Sequence, residues 1–180
     1  MRAMKSGQGT KRAVKKRHLL VFPLLFLAAA GAGCLFFGCR PSPDFDALRR
    51  EILDLHLKTV DAHWKKDPGF FTAHMADGYF AVQNGKVRRP SRKDIAAEYE
   101  RYLATTTFTE YRDLQEPLVG FSRDGSVAWS VVQVKVAGSE RAETGPENKF
   151  DLVWAWITLY ERKDGRWIWL GEASTFKPVD

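Results

Sequence analysis

The sequence predicts an α+β domain in which three helices are followed by an antiparallel sheet, and two observations predict it. Between residues 44 and 103, apolar side chains recur with the helical period of about 3.6 residues. From Phe108 onward, long runs rich in Val, Trp, Thr and Phe are separated by the turn pairs Asp124-Gly125 and Asp164-Gly165. Helices therefore come first in the domain and strands follow.

The first predicted helix begins at a cap supplied by Asp44 or Asp46 and ends near Lys66, before an Asp-Pro-Gly stop at residues 67–69. At about 100° per residue, the side chains expected to be covered span an arc of about 200°. They are Leu48, Ile52, Leu53, Leu55, His56, Leu57, Thr59, Val60, His63 and Trp64. More than half of the helix surface is expected to be buried, with both histidines near the middle of that arc.

Two shorter helices are predicted before the sheet. The first covers Phe70 to Met75. The second begins at Ser91, which precedes Asp94 by three residues in the pattern of a capping box, and runs to about Leu103. Its inward side chains are expected to be Ile95, Ala96, Tyr99, Tyr102 and Leu103.

Four strands are predicted, over residues 108–121, 126–137, 149–161 and 166–177. A two-residue turn at Asp164-Gly165 sets the register of the last hairpin. The predicted partners are Lys163 with Arg166, Tyr160 with Trp169, Thr158 with Gly171, and Trp156 with Ala173. This register places Glu172 on the sheet face opposite Trp154 and Trp156. A slip by one residue would instead make Glu172 the sole carboxylate on the inner face.

Residues 1–40 differ in charge from the rest of the chain. They carry eight basic side chains and no acidic one, so they account for the net charge of +6, and 20 basic and 22 acidic residues lie beyond position 40. The slightly acidic remainder argues against nucleic-acid binding. The sequence therefore divides into a basic segment (1–18), an apolar signal or transmembrane segment (19–39), a linker (40–43) and a domain (44–180).

The apolar segment predicts export to, or anchoring in, a bacterial cell envelope. Its run of about 20 uncharged residues can span a membrane as one helix, and it also accommodates a signal-peptide core of about 7 to 15 residues. Gly31-Ala32-Gly33 before Cys34 resembles a bacterial lipoprotein processing site, and Cys39 is a second candidate for lipidation. Lipid anchor, transmembrane helix and ordinary secretion stay open, and each places the domain outside the cytoplasm. Since the chain has no other cysteine, the domain must be stabilised by core burial.

Several segments of the domain together resemble the NTF2-like superfamily, most nearly its SnoaL-like and DUF4440-type branches. They are Phe71-Thr72-Ala73-His74-Met75-Ala76-Asp77-Gly78-Tyr79-Phe80-Ala81-Val82, Gly85-Lys86-Val87, Ser91-Arg92-Lys93-Asp94-Ile95 and Asp164-Gly165-Arg166-Trp167. The resemblance covers about residues 44–177. It implies a cone in which a strongly bent antiparallel sheet wraps around three helices and leaves a pocket, often with a dimer formed through the outer sheet face.

The same resemblance allows one activity to be tested by position. The superfamily includes ketosteroid isomerase, and an ungapped match places Gln83 where the isomerase has its carboxylate base and Thr59 where it has its oxyanion-binding tyrosine. An amide does not accept a proton at neutral pH, and a threonine hydroxyl is a weaker acid than a phenol. The isomerase reaction is therefore not expected.

Two sets of side chains are candidates for a site. His56, Thr59 and His63 share one helix face, so His63 or His56 could serve as a base, with Tyr79 or Gln83 as polar partner. Alternatively, each histidine donates to a backbone carbonyl beneath the sheet. The predicted ligand pocket consists of Thr59, His63, Tyr79, Gln83, Tyr99, Trp129, Trp154, Trp156 and Trp169. The same aromatic side chains could instead form core and dimer surface.

Neither a metal nor a cofactor is predicted. His56 and His63 lie seven residues apart, about 10 Å along a helix, and the domain has only His74 besides them. The sequence has no Gly-rich phosphate loop, nucleophile elbow or Cys/His pair. The basic cluster at Arg88, Arg89, Arg92 and Lys93 is expected to be solvated surface, with phospholipid head groups as the alternative partner.

The predicted function is that of a noncatalytic, membrane-anchored domain which binds a small apolar ligand in its cone and forms a homodimer. Two alternatives stay open. One is a SnoaL-like enzyme of isomerase or hydrolase type that uses a pocket histidine, and the other is an assembly module of an envelope complex. The aromatic content of 13% favours a ligand pocket or a large core without deciding between them.

Overall fold

The structure is a computed structural model that describes residues 42–142 and 145–179, within one compact unit, Ser42–Asp180. The predicted segments 1–18 and 19–39, with Cys34 and Cys39, lie outside the described residues. The helices are α1 (Phe45–Lys65), α2 (Pro68–Ala73) and α3 (Arg92–Thr105). The strands are β1 (Met75–Gln83), β2 (Lys86–Arg88), β3 (Thr106–Asp113), β4 (Leu118–Phe121), β5 (Val127–Glu140), β6 (Asn148–Lys163) and β7 (Arg166–Pro178).

Each helix begins where a side chain caps it. The Asp44 carboxylate accepts a hydrogen bond from the Ala47 N–H at 2.9 Å, and Asp67 accepts one from Phe70 N–H at 3.2 Å with Pro68 in the first turn. Ser91 and Asp94 form the predicted capping box, which is confirmed. None of the helices in the described ranges is long and apolar enough to cross a membrane.

The buried face of α1 is narrower than predicted. Leu48, Ile52, Leu55, Ala62 and both of its histidines are buried. Leu57 and Trp64, however, have exposed fractions of 61% and 46%. The predicted arc of about 200° is wrong at its ends, because α1 is covered by the sheet and α2 on one side while its opposite side faces solvent.

The sheet is mixed, so the prediction of an antiparallel sheet is wrong for one pair of strands. The order is β2-β1-β7-β6-β5-β3, and β4 also pairs with β5. β1 runs parallel to β7, and every other pair is antiparallel. The β1–β2 hairpin lies in a segment for which no strand was predicted. The predicted strand 108–121 is two strands, β3 and β4, that pair with different halves of β5.

The core lies between α1 and the inner face of the sheet. Its fully buried members include Ile52, Phe71, Leu103, Val132 and Val134. Along β5 the alternation is regular, with even-numbered residues from Ala128 to Val136 buried and odd-numbered ones facing the other side. The inner face therefore packs on the helices while the outer face is left uncovered by any element of the described chain.

Candidate functional site

The last hairpin is bent by a bulge that decides which side chains face inward. Asp164 and Gly165 have φ angles of 51° and 76°, and Lys163 pairs with Arg166, as the predicted two-residue turn requires. Tyr160 also pairs with Trp169 as predicted, but the next residue, Leu159, pairs with Gly171. Leu170 is the extra residue, because it has no partner on β6.

Beyond this bulge the predicted register is wrong by one residue. Thr158 pairs with Glu172 rather than Gly171, and Trp156 pairs with Ser174 rather than Ala173. Because side chains alternate between faces, the shift turns Glu172 from the outer face to the inner face. Further along, Trp154 pairs with Phe176, so the shift continues towards the end of the strand.

The inner face, α1 and α3 enclose a partly open cavity of about 270 Å³. Its wall contains nine aromatic side chains, including all five tyrosines of the chain. They are Phe71, Tyr79, Tyr99, Tyr102, Tyr111, Trp154, Trp156, Tyr160 and Trp169. The cavity is therefore largely apolar, with a few polar groups at defined places.

Most side chains of the predicted pocket lie around this cavity. They are Thr59, His63, Tyr79, Gln83, Tyr99, Trp154, Trp156 and Trp169, together with His56. Trp129 does not line it. It pairs with Leu159 on the outer face, and its ring has an exposed fraction of 39%. The buried residues of β5 are even-numbered, so position 129 faces away from the helices.

Glu172 is the polar group that distinguishes the cavity. Its carboxyl group lines the wall, and no group within residues 42–142 and 145–179 hydrogen bonds to it. Burial in these apolar surroundings raises the pKa of Glu172 from 4.5 to about 7. The cavity therefore holds a carboxyl group that changes its charge close to neutral pH.

The tyrosines around Glu172 stay protonated. Burial raises the pKa of Tyr79, Tyr99 and Tyr111 above the ordinary value of 10, and the negative charge of Glu172 adds to the effect. The Tyr160 hydroxyl forms a hydrogen bond of 2.9 Å with Ser130 Oγ. Two indole N–H groups in the wall, those of Trp154 and Trp169, are buried without an acceptor in the described part of the chain. The tyrosines therefore add no charge to the wall, and the wall is rich in hydrogen-bond donors.

His63 is poorly suited to act as a base. Its Nδ1 lies 2.8 Å from the Thr59 carbonyl oxygen and donates to it, as the structural alternative for the histidines predicted. Burial lowers the pKa of His63 from 6.5 to about 4. The ring packs edge-on against Phe71 at 4.8 Å between centroids. A nitrogen that accepts a proton only near pH 4 is a weak base at neutral pH, so His63 serves chiefly as packing in this wall.

His56 has a partner that the sequence interpretation missed. Its Nε2 lies 2.8 Å from the Asp113 Oδ1 atom, and its ring centroid lies 6.3 Å from that of Trp156. Asp113 ends strand β3, two residues after the cavity-lining Tyr111, so strand alternation was the signal that could have placed it here. The carboxylate holds the imidazole in one orientation at the wall.

All four side chains of the predicted basic cluster are exposed, and two of them, Arg88 and Arg92, also make contacts within the domain. Arg88 and Glu98 line the cavity and form an ion pair, and because Arg88 is exposed this pair lies where the cavity meets solvent. The Arg92 guanidinium donates to the carbonyl oxygens of Thr72 and Met75, which joins α3 to the end of α2 and the start of β1. No group of three metal-binding side chains occurs in the described ranges.

No protein-family model and no curated protein matches the chain. Solved structures do match it. One is an NTF2-like superfamily protein from Salmonella enterica serovar Typhimurium, with a TM-score of 0.59 and 12% identity over 76% of this chain and 94% of that chain.

Two further solved structures give the same result. An NTF2-like protein from Cytophaga hutchinsonii has a TM-score of 0.56 and 15% identity over 73% of this chain and 98% of that one. An NTF2-like protein of unknown function in nutrient uptake, from Rhodospirillum rubrum, has a TM-score of 0.55 and 16% identity over 72% and 98%. At these identities the likeness concerns the fold alone. The described chain has the NTF2-like α+β fold, with a curved, mixed sheet.

Proposed function

We propose that this domain binds a small, largely apolar ligand in the cavity between its helices and its sheet, without transforming it. The observation that carries the proposal is the aromatic-walled cavity of about 270 Å³. Ligand sites in proteins are concave and mostly apolar, with a small number of polar groups that orient the ligand. Glu172, the Trp154 and Trp169 indoles and the His56–Asp113 pair are such groups here.

The size of the cavity favours a ligand over a plain core. Protein interiors are packed as densely as organic crystals, with few voids larger than a water molecule. Aromatic side chains that served only as core would be expected to close this space. Instead Phe71 and Tyr99 stack against each other, with ring centroids 4.0 Å apart, and the cavity remains beside them.

Substituting Ser174 with phenylalanine is expected to abolish ligand binding, because Ser174 lines the cavity and the larger ring would occupy part of its volume. The matched control is Thr175→Phe, since Thr175 is the adjacent residue, is exposed and pairs with Ala155 on the other face. Denaturing extraction of each purified protein followed by small-molecule mass spectrometry measures the ligand bound. The same ligand recovered at equal yield from wild type and Ser174→Phe would contradict the proposal.

A catalytic role for the same cavity is the second candidate, and Glu172 is the observation that favours it. A general acid or base works best when its pKa lies near the working pH, and burial brings the pKa of Glu172 to about 7. Glu172 replaces the predicted His63 in this role. An enzyme would yield different molecules on extraction from wild type and from Glu172→Gln, whereas a binding protein would yield from Glu172→Gln no molecule other than the one bound by wild type.

We also propose that the outer face of the sheet forms a homodimer. Leu118, Val131, Ile157 and Ala173 are cross-strand neighbours in one row over four strands of this face. In the next row the Phe80 ring lies directly over Gly171, so close that a Cβ atom added at Gly171 would overlap the ring. These two rows together form a continuous apolar surface, which is the kind of surface that a second copy of the chain would bury.

The variant Ile157→Lys is expected to convert the dimer to a monomer. Ile157 lies in the middle of this row with an exposed fraction of 36%, so a lysine there adds little strain within one chain but places a charge in the interface. Light scattering coupled to size exclusion gives the mass of each protein. A wild-type chain that is monomeric at micromolar concentration would contradict the dimer.

Anchoring in the cell envelope, by lipidation at Cys34 or Cys39 or by a retained helix over 19–39, stays a prediction from the sequence. The mass of the membrane-extracted protein tests it, because a lipidated cysteine and an intact Met1 give different masses. A retained helix would favour the assembly-module alternative.

A further inference from the structure

We propose that the ligand of this cavity is an organic monocation, a protonated amine or quaternary ammonium group on a small apolar body, with its positive charge held at Glu172. The proposal rests on the proposed ligand-binding function and names the chemical class of the ligand. It follows from three features of the wall: the orientation of Glu172, the lack of a cation to pair with it, and the aromatic side chains around it.

The bulge at Leu170 gives Glu172 its orientation. Glu172 is flanked by Thr158 on β6 and by Ala81 on β1, and all three line the cavity. Both flanking side chains are short. The carboxyl group therefore has space on both sides along the inner face, and a ligand can reach it without displacing a large side chain.

The protein supplies no positive charge to Glu172. Arg88 is the only lysine or arginine in the cavity wall as described, and it is paired with Glu98 at the exposed edge. His56 is hydrogen bonded to Asp113. Apolar surroundings without a partner disfavour the ionised form of a carboxyl group, so a cation that entered the cavity would stabilise ionised Glu172.

The aromatic wall suits an organic cation rather than a metal ion or an anion. Trp, Tyr and Phe rings attract ammonium groups through the negative potential of their faces, in addition to providing apolar surface. A bare metal ion would find a single carboxylate here and no cluster of ligands in residues 42–142 and 145–179. An organic anion would be repelled by ionised Glu172.

The pH dependence of binding is set by the groups that face Glu172. From the packed elements these are His56 and His63 on α1, Tyr79 on β1, Arg88 on β2, Glu98, Tyr99 and Tyr102 on α3, Tyr111 and Asp113 on β3, and Tyr160 on β6. The tyrosines have raised pKa values and His63 has a lowered one, so these groups do not change charge between pH 5.5 and pH 8. Any contribution of His56 to the pH dependence of binding would persist in a Glu172→Gln variant, which separates it from that of Glu172.

The test compares three probes of one size and three charges: 4-phenylbutylamine, 4-phenylbutanol and 4-phenylbutyrate. Calorimetric titration of the purified full chain at pH 8 is expected to give an affinity for the amine about tenfold or more above that for the alcohol, with the carboxylate weakest. In Glu172→Gln the preference for the amine is expected to disappear, and in Glu161→Gln, an exposed glutamate on β6, it is expected to remain. Any binding of a probe that remains in Ser174→Phe is binding outside the cavity.

Lowering the pH to 5.5, in wild type and in Glu172→Gln, provides a second measurement. The amine stays charged while Glu172 becomes protonated, so the affinity for the amine is expected to fall about tenfold and that for the alcohol to stay constant. Equal binding of amine and alcohol, or tighter binding of the alcohol at pH 5.5, would overturn the cation inference and leave ligand binding intact. Failure of all three probes to bind would count against both the cation inference and the proposed ligand-binding function.

Discussion

Replacing Phe71 with alanine is expected to lower the free energy of unfolding by about 3–5 kcal/mol. Phe71 lies on α2 with an exposed fraction of 1%. Its ring stacks on Tyr99 of α3 at 4.0 Å, meets His63 of α1 at 4.8 Å and lies 6.3 Å from Trp169 of β7. One side chain therefore joins all three helices to the sheet, and its loss would enlarge a cavity that is already present.

The control for this substitution is Phe176→Ala. Phe176 is also an aromatic residue with one ring neighbour, Trp154 at 6.2 Å, but its exposed fraction is 44%. Its removal is expected to cost less than about 1 kcal/mol. Urea unfolding followed by tryptophan fluorescence measures both variants. A loss below about 1 kcal/mol for Phe71→Ala would mean that α2 does not pack on the wall as described.

Replacing Glu172 with glutamine is expected to stabilise the protein by about 3 kcal/mol at pH 8 and to have little effect at pH 4. The pKa of Glu172 is about 7 in the folded protein against an ordinary 4.5. A raised pKa means that the folded protein holds the proton more tightly than the unfolded chain. The contribution of Glu172 to the free energy of unfolding is therefore fully present below pH 4.5 and is lost as the pH rises through 7. Glutamine cannot ionise, so the variant avoids this loss.

The measurement is the difference in free energy of unfolding between wild type and Glu172→Gln at pH 4, 6 and 8, in protein freed of bound ligand. His63 changes the stability with pH in the opposite direction. Its pKa of about 4 lies below the ordinary 6.5, so its contribution to the free energy of unfolding is lost as the pH falls. Both proteins contain His63, so its effect cancels in the difference. A difference that stays constant from pH 4 to pH 8 would show that Glu172 is not buried in the cavity.

These two residues differ in how far the sequence predicted them. Phe71 lies in a segment that carries the resemblance, and a short helix was predicted there. The prediction gave Phe70 to Met75, whereas the helix is Pro68–Ala73 and Met75 already belongs to β1. Glu172 was assigned to the outer face by a register that is correct at Tyr160–Trp169 and wrong from Leu159 onward. A bulge shifts the alternation of inward and outward side chains by one residue. Residues 167–170 are apolar at every position, so the sequence pattern carried no signal for the shift.

The remaining errors concern contacts between distant parts of the chain. The parallel pairing of β1 with β7 joins residues about 90 positions apart, and local turn residues say nothing about it. Trp129 was placed in the pocket by its residue type, whereas its face follows from the burial of Ala128 and Ser130 on either side. The Asp113 partner of His56 depends on β3 lying across α1.

By itself the sequence determined the features that depend on neighbouring residues: the ends of the first and third helices to within two residues, the Asp164-Gly165 turn, and a resemblance sufficient to predict an NTF2-like fold. These features are local because a cap or a turn is satisfied by backbone groups within about four residues. Only the tertiary structure decided which residues the cavity brings together and how they ionise. The burial of a side chain and the sheet face on which it lies are properties of the assembled sheet. Here a one-residue bulge at Leu170 turns Glu172, the only unpaired carboxylate identified in the described cavity wall, towards the cavity.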